Sequence, residues 1–323
     1  MLAEHGHEVT LFDPLGVMRA ASGINQYRVH AGYHYPRSAE TIREVTEART
    51  EFVTQFTPAI VSEAAHYYAI PREGSLTVPD QFETIMAEHG LPLKPVRPEW
   101  MDFTFIDRCY EVVEHLYDPE VLRDLLASRL RQRGVSMIPE RYASHLREGF
   151  DRVVWATYGL GASATVFPIA KYQVAEKILI RLPQQLQHVA LVIVDGPFTA
   201  FDPYGRSDLS LFGSAKHTNH WTSSNALELP PPELAALLNG SDFLPCDFSR
   251  FQAMLEAASM SVPMARHATY VGSRFTMRVV EDDRRDRRIL HLRESAPGEI
   301  HVFSGKVVSA VKAAKLICEW AHG

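Results

Sequence analysis

The opening thirteen residues, MLAEHGHEVTLFD, constrain the fold of this 323-residue chain more than any other stretch. Met1 to His5 reads as the end of a helix, Gly6 is placed to cap it, and Glu8 to Phe12 is a short apolar strand. A single helical turn does not persist alone in water, because nucleation fixes several residues for one hydrogen bond. It therefore has to belong to a larger packed unit. Leu2, Gly6, Val9 and Asp13 follow the spacing L-x3-G-x2-V-x3-D. That is the second half of a Rossmann-type βαβ unit, in which a helix ends, a second strand rises and a carboxylate stands at its tip. Many α/β proteins also have a strand ending in Asp, so the spacing needs support from elsewhere.

Hydrophobic residues make up 46% and charged residues 22%, the proportions of an ordinary globular protein with room for two domains. A net charge of -6 gives no general attraction to nucleic acid or to an anionic membrane, so neither is expected as a partner. Three widely spaced cysteines (Cys109, Cys246, Cys318) argue against a disulfide framework or a four-ligand zinc site. They fit a reducing cytoplasm. No apolar run is long enough to span a membrane, and the first residues lack signal-peptide character.

Helices are expected over Thr41 to Phe56, around Asp80 to His89, over Asp118 to Gly134 (Asp-Pro opening, Gly closing), over 233–260 and over Val307 to Ala321. Short strands are expected within 65–110, at Val135 to Ile138 and at Arg152 to Ala156. Residues 171–215 alternate strand patterns with turns, which points to an antiparallel sheet. His267 to Val280 and Ile289 to Leu292 also read as strands, with EDDRRDRR at 281–288 as a solvated hairpin tip between them.

Four further segments carry a resemblance to a known family. FDRVVWATYGLGAS at 150–163 resembles a returning strand and turn of the form D-x-V-V-x-A-x-G, whose small residues, here Ala156 and Gly159, allow a close backbone approach. HATYVGSRFT at 267–276 resembles a strand bearing G-x-R, and HVFSGKVVSAVKAAKLI at 301–317 resembles a C-terminal turn and helix. AASGINQYRVHAGYHYPRS at 20–38 places a Ser and an Asn just after the first strand. In this order and spacing they resemble the D-amino-acid-oxidase-like FAD-dependent oxidoreductases, whose relatives include glycine, sarcosine and 2-hydroxyglutarate oxidases. HAGYHYPRS resembles the last of these branches.

The resemblance implies an α/β fold: a Rossmann-like FAD-binding domain from residues 1–62, 112–168 and 266–323, with an inserted, mainly antiparallel substrate domain from 63–111 and 169–265. It implies that Asp13 binds the adenosine ribose and that Ser22 and Asn25 contact the diphosphate and flavin. Ala156, Gly159, Ser304, Gly305 and Lys306 would complete the noncovalent FAD site. Arg274 would clamp a substrate carboxylate, and Tyr33, His30 and His34 would shape the substrate face, one histidine serving as base if one is needed. The implied reaction is hydride transfer from a C–N or C–O bond of a small polar, carboxylate-bearing substrate, with oxygen or another acceptor taking the electrons. The first strand and the loop G-x-G-x-x-G would precede Met1. The reading accordingly expects a missing first strand, a start assigned too far downstream, and poor FAD binding by the chain as written. An inactive remnant and a non-flavin Rossmann-type nucleotide-binding protein stay open as alternatives. So do plainer roles for single residues: Arg274 on a strand surface, Lys306 as a helix-start lysine, His30 and His34 as pocket walls rather than metal ligands, and His217 and His220 at a polar edge.

Overall fold

The computed structural model describes residues 1–142, 147, 149–167 and 170–323. The first part of the chain runs β1 (Thr10–Phe12), β2 (Arg28–Val29), α1 (Ala39–Gln55), β3 (Ile60–Val61), β4 (Ala65–Pro71), α2 (Pro79–Glu88), β5 (Lys94–Val96), β6 (Ile106–Val112) and β7 (His115–Tyr117). The middle runs α3 (Pro119–Gln132), β8 (Ser136–Ile138), β9 (Val153–Trp155), β10 (Ala170–Arg181), β11 (Val189–Ile193), β12 (Thr199–Pro203), β13 (Ser210–Ser214) and β14 (Asn219–Ser223). The last part is α4 (Pro232–Ala235), α5 (Phe251–Ser261), β15 (Thr269–Glu281), β16 (Leu290–Ala296), β17 (Glu299–Ser304) and α6 (Ala310–His322).

Local chemistry sets the long helices. Ser38 caps α1 by accepting from Thr41 N, and Ile42, Val45, Ala48 and Phe52 recur at helical spacing as its buried stripe. Asp118 caps α3 through the amides of Glu120 and Val121, with Pro119 in the first turn, where its missing N–H costs nothing. Helices α1 and α6 lie side by side, joined by Ser309 to Glu44, Lys312 to Glu47 and Lys315 to Glu51. That ladder fixes the start of α6 against α1.

A nine-stranded sheet dominates, in the order β14-β10-β13-β12-β11-β4-β6-β5, with β15 hydrogen-bonded along the other edge of β10. All its pairings are antiparallel except β4 with β11. Its outer face buries Ile178, Ile180, Leu191, Ile193, Phe201 and Phe212 against Phe251, Met254 and Ala258 of α5. Along the inner face the register aligns Tyr110, Tyr68, Val192, Ala200, Gly213, Lys177 and Arg274, with Asp202, Thr276 and Arg278 in the same alternation. Three smaller sheets complete the fold: β1 parallel to β8, β16-β17-β9 and β2-β7-β3.

Several expectations need correction. Residues 236–250 are not helical: α4 is one turn long, and the following segment instead bridges to β15 at Leu238–Phe275 and Leu244–Ser273. Residues 281–288 are not a hairpin tip, because β15 and β16 belong to different sheets. Glu281 there is buried and accepts from Arg287 and His291, and the Arg288 amide donates to Thr41 Oγ1. β15 falls in the expected cofactor segment 266–323, yet it pairs along the whole of β10 in the large sheet. The expected boundary at 168 and 169 lies outside the described residues.

Candidate active site

Residues 28–38 run under the inner face of the large sheet, and a buried ion network holds them there. Arg28 Nη1 donates to Glu114 Oε2 at 2.6 Å, and its Nη2 meets Asp202 Oδ1 at 2.6 Å in an ion contact out of line for a hydrogen bond. Glu114 also accepts from Tyr68 Oη at 2.9 Å and from the Ala31 amide at 2.8 Å. All three charged side chains are buried. Burial opposes the charge on Arg28, but Asp202, Tyr68 and Glu114 outweigh it and keep the guanidinium charged. Strands β4 and β12 are thereby locked to the backbone of the segment that carries the histidines.

That segment then turns at Gly32, whose φ of 126° is open only to glycine, and where a Cβ would lie 2.9 Å from both Ile42 and Leu91. The turn brings His30, His34 and Tyr35 together, with ring centroids 5.1–5.5 Å apart. From the far end of the chain, Lys306 places its ammonium over the Tyr35 ring at 4.3 Å. Burial, reinforced by the Lys306 charge, holds both histidines well below the usual imidazole range, so they are neutral at neutral pH. Burial also pushes the Lys306 ammonium down to about 7. His30 Nδ1, His34 Nδ1 and Tyr35 Oη are buried without a hydrogen-bond partner among the described residues. Such atoms are rare in a finished interior and ask for a polar ligand.

The structure thus brings Lys306 to His30 and His34, residues 272 positions or more apart in sequence. Tyr33 lies alongside, its ring 5.6 Å from Tyr68 and its hydroxyl donating to Pro92 O. Ser304 terminates β17, its hydroxyl and the Lys306 backbone bonding each other in a tight turn. At Gly305 a Cβ would press on Arg288 Cδ at 2.9 Å, so glycine permits that close approach. Gly159, at φ 71°, packs on Val279 and Phe303 near the end of β17, while Ala156 is exposed. Asp13 stands at the tip of β1, where Oδ1 caps its own turn through the amides of Leu15 and Gly16. A file of rings, Phe12, Tyr142, Trp155 and His301, connects that tip to β9 and β17.

Other expected residues are engaged differently. The Asn25 amide donates to Ala21 O and Ser22 O and accepts from Tyr27 N and Tyr117 Oη, which makes it a pin for its own loop. Ser22 is exposed beside it. Arg274 is buried, donates from Nε to Gly240 O at 2.8 Å and from Nη1 to Gly23 O at 3.1 Å, and lies over Phe243. It borders a cleft of about 260 Å³ that Arg19, Tyr27, Glu120 and Tyr204 also line. His220 is bound to Glu176 at 2.8 Å. Among the described residues no cluster of three His, Cys, Asp or Glu could hold a metal ion. No helix there is long and apolar enough to cross a membrane.

Comparison with known proteins gives the fold its place. Over 95% of this chain and 85% of the other, the structure superposes on glycine oxidase from Geobacillus kaustophilus with a TM-score of 0.66 at 14% identity. The chain shares the fold of glycine oxidase. L-proline dehydrogenase from P. horikoshii matches over 98% of this chain and 87% of its own, with a TM-score of 0.63 at 12% identity. Iminodiacetate oxidase from Chelativorans sp. matches over 95% and 86%, with a TM-score of 0.64 at 12% identity. The α/β fold with mixed sheets is accordingly that of the D-amino-acid-oxidase-like proteins, as the ordered motifs led us to expect. An FAD-dependent monooxygenase of Fusarium mangiferae is 28% identical over 221 residues, which are 66% of this chain and 59% of that protein. The match therefore spans less than two thirds of that relative's length. No protein-family model matches the chain.

Sequence reasoning missed Tyr35 and the Arg28–Glu114–Asp202 network. Nothing in the sequence pairs Arg28 with Glu114, 86 positions away.

Proposed function

We propose that this chain is an FAD-dependent oxidoreductase acting on a C–N or C–O bond of a small polar, carboxylate-bearing substrate. The observation that carries the reading is the buried cluster of Lys306, His30, His34 and Tyr35 beside Tyr68 of the large sheet, in which His30 Nδ1, His34 Nδ1 and Tyr35 Oη have no hydrogen-bond partner among the described residues. A planar ring edged with hydrogen-bonding atoms suits that wall: the fold matches enzymes that oxidise amino and imino acids, and the curated relative is described as FAD-dependent. When bound, FAD supplies the two-electron oxidation, and the protein has only to orient the substrate and tune charge. Lys306 would place a positive charge where a reduced ring gathers negative charge. His30 and His34, held neutral by burial and by the Lys306 charge, can offer Nδ1 as a hydrogen-bonding contact to the bound ring or substrate. Asp13 uses only Oδ1 among the described residues, leaving Oδ2 at a strand tip, the position suited to ribose hydroxyls. Glu114 and Gly32 hold the histidine segment in place.

The test is anaerobic mixing of the FAD-loaded protein with a panel of amino, imino and hydroxy acids while the visible flavin band is followed. Bleaching by members of the panel supports the reading. A bound flavin that no C–N or C–O substrate bleaches contradicts it.

A further inference from the structure

We propose that residues 282–288 form a strap closed over the Lys306 cluster, and that Arg37 is the latch that holds it shut and sets how fast a ligand enters. What the cluster receives rests on the reading above; how it is reached rests on the bonds of the strap itself.

The strap joins β15 to β16, which belong to different sheets. Its two ends are fixed. Buried Glu281 accepts from Arg287 Nε at 2.8 Å and meets His291 Nε2 at 2.9 Å. The Arg288 amide donates to Thr41 Oγ1 at 3.0 Å and the Leu290 amide to Glu44 at 2.8 Å, both on α1. Between these anchors the chain turns on itself: Asp283 accepts from the Arg285 amide through Oδ1 and from the Asp286 amide through its carbonyl. Arg284 and Arg285 are exposed. Among the described residues, one hydrogen bond ties 283–286 to anything outside the strap, and it runs from Arg37 Nη1 to Arg284 O. Arg37 is itself braced. Its Nε and Nη2 both donate to Asp195, in the turn after β11, a bidentate pair of the strong, charge-assisted kind. Asp195 is held in turn, accepting from Thr77 Oγ1 at 3.0 Å and donating its amide to Ser75 Oγ at 3.0 Å. The latch thus fastens the strap to loops of the large sheet.

The strap meets the cluster at both of its contacts. Arg37 follows Tyr35 by two residues, and the Lys306 ammonium stands over the Tyr35 ring at 4.3 Å. At the other end Arg288 presses on Gly305, where a Cβ would sit 2.9 Å from Arg288 Cδ, and Gly305 immediately precedes Lys306. His30 Nδ1 and Tyr35 Oη are buried, so a ligand reaching them has to displace part of the wall. A segment with exposed residues, firm ends and a single tie at its middle opens at far lower cost than the sheets around it. With the Arg37 bond to Arg284 broken, the middle of the strap is free to swing on its ends.

The test reads opening in the full chain without flavin, by two probes. Limited trypsin cleavage after Arg284 or Arg285 reports the strap. Carbethoxylation of His30 by diethyl pyrocarbonate, read by mass spectrometry against the exposed His188, reports access to the cluster. In Arg37→Gln both rates should rise about tenfold, the scale of a charge-assisted pair discounted for its partial exposure. Asp195→Asn should raise both in the same direction, and the double variant should go no faster than Arg37→Gln alone, because the two residues act through one bond. Arg181→Gln, which breaks an exposed pair with Asp208 on the same sheet, should change neither rate. If Arg37→Gln does not fold, Asp195→Asn decides. Faster cleavage with His30 unchanged would overturn the strap as a gate, and unchanged cleavage would overturn the latch. Saturating FAD added to wild type tests the flavin reading separately. Protection of His30 supports that reading, whereas acceleration by Arg37→Gln without protection by FAD leaves the strap standing and removes only the flavin.

Discussion

Exchanging Glu114 for glutamine keeps the shape of the side chain and removes one charge from the centre of the molecule. Glu114 accepts three hydrogen bonds, from Arg28, Tyr68 and the Ala31 amide, and its side chain is fully buried. Glutamine can still accept from Ala31 through its one oxygen, but its amide group then faces the Arg28 guanidinium and the Tyr68 hydroxyl. Arg28 keeps Asp202, so its charge is not stranded. The loss therefore sits near the lower end of the 3–5 kcal/mol typical of breaking a buried pair, about 3 kcal/mol. In a protein of this size that lowers Tm by roughly 5 °C. Denaturant unfolding with an unchanged m-value is the assay. Glu111→Gln, which breaks the exposed pair with Lys94, should leave stability unchanged within error and serves as the control. Because Glu114 also fixes the Ala31 amide between the two histidines, Glu114→Gln should lower turnover more than it raises KM. A stability change indistinguishable from that of Glu111→Gln would refute the reasoning.

Four further outcomes are expected. Gly32→Ala forces a side chain into a φ of 126° and against Ile42 and Leu91, so it should destabilise by about 1–3 kcal/mol and displace the histidine turn, seen as a changed near-UV spectrum. Lys306 titrates at about 7 in the folded chain against 10.5 ordinarily, so the unfolded chain binds the extra proton between those values and this residue's contribution to stability rises with pH across that window. For the same reason an anionic ligand at Lys306 should bind best below about pH 7 and weaken as pH rises through it, a slope that Lys306→Met should flatten. Tyr35→Phe removes a hydroxyl with no partner among the described residues and should leave stability intact while weakening flavin binding, measured by fluorescence titration.

How much of this was legible in the sequence depended on whether the signal was local. Capped helices such as α3 read directly, because Asp118-Pro119 and the leucine spacing act within one segment. So did the joint order of the motifs at 2–13, 150–163, 267–276 and 301–317, which led to the fold. Residues 236–250 misled because the helix signals of the flanking runs ELAALL and FQAMLEAA were carried across Asn239-Gly240 and Pro245, which break a helix, whereas the structure spends the segment on bridges to β15. The membership of β15 in the large sheet depends on twelve paired positions along β10 that no local pattern announces. At the site, His30, His34 and Lys306 stood out through the resemblance of segments 20–38 and 301–317 to the family. Arg274 stood out by motif, but its partners are two backbone carbonyls, and carbonyls leave no mark in a sequence.

The measurement that bears most directly on the account is an FAD titration followed by flavin fluorescence and visible absorbance, run in parallel on wild type and Lys306→Met. The account predicts a saturable change in the flavin spectrum, even at modest affinity, that is altered in shape and weakened by the substitution. A flavin spectrum that does not change at any FAD concentration, or one that changes identically in both proteins, would contradict it.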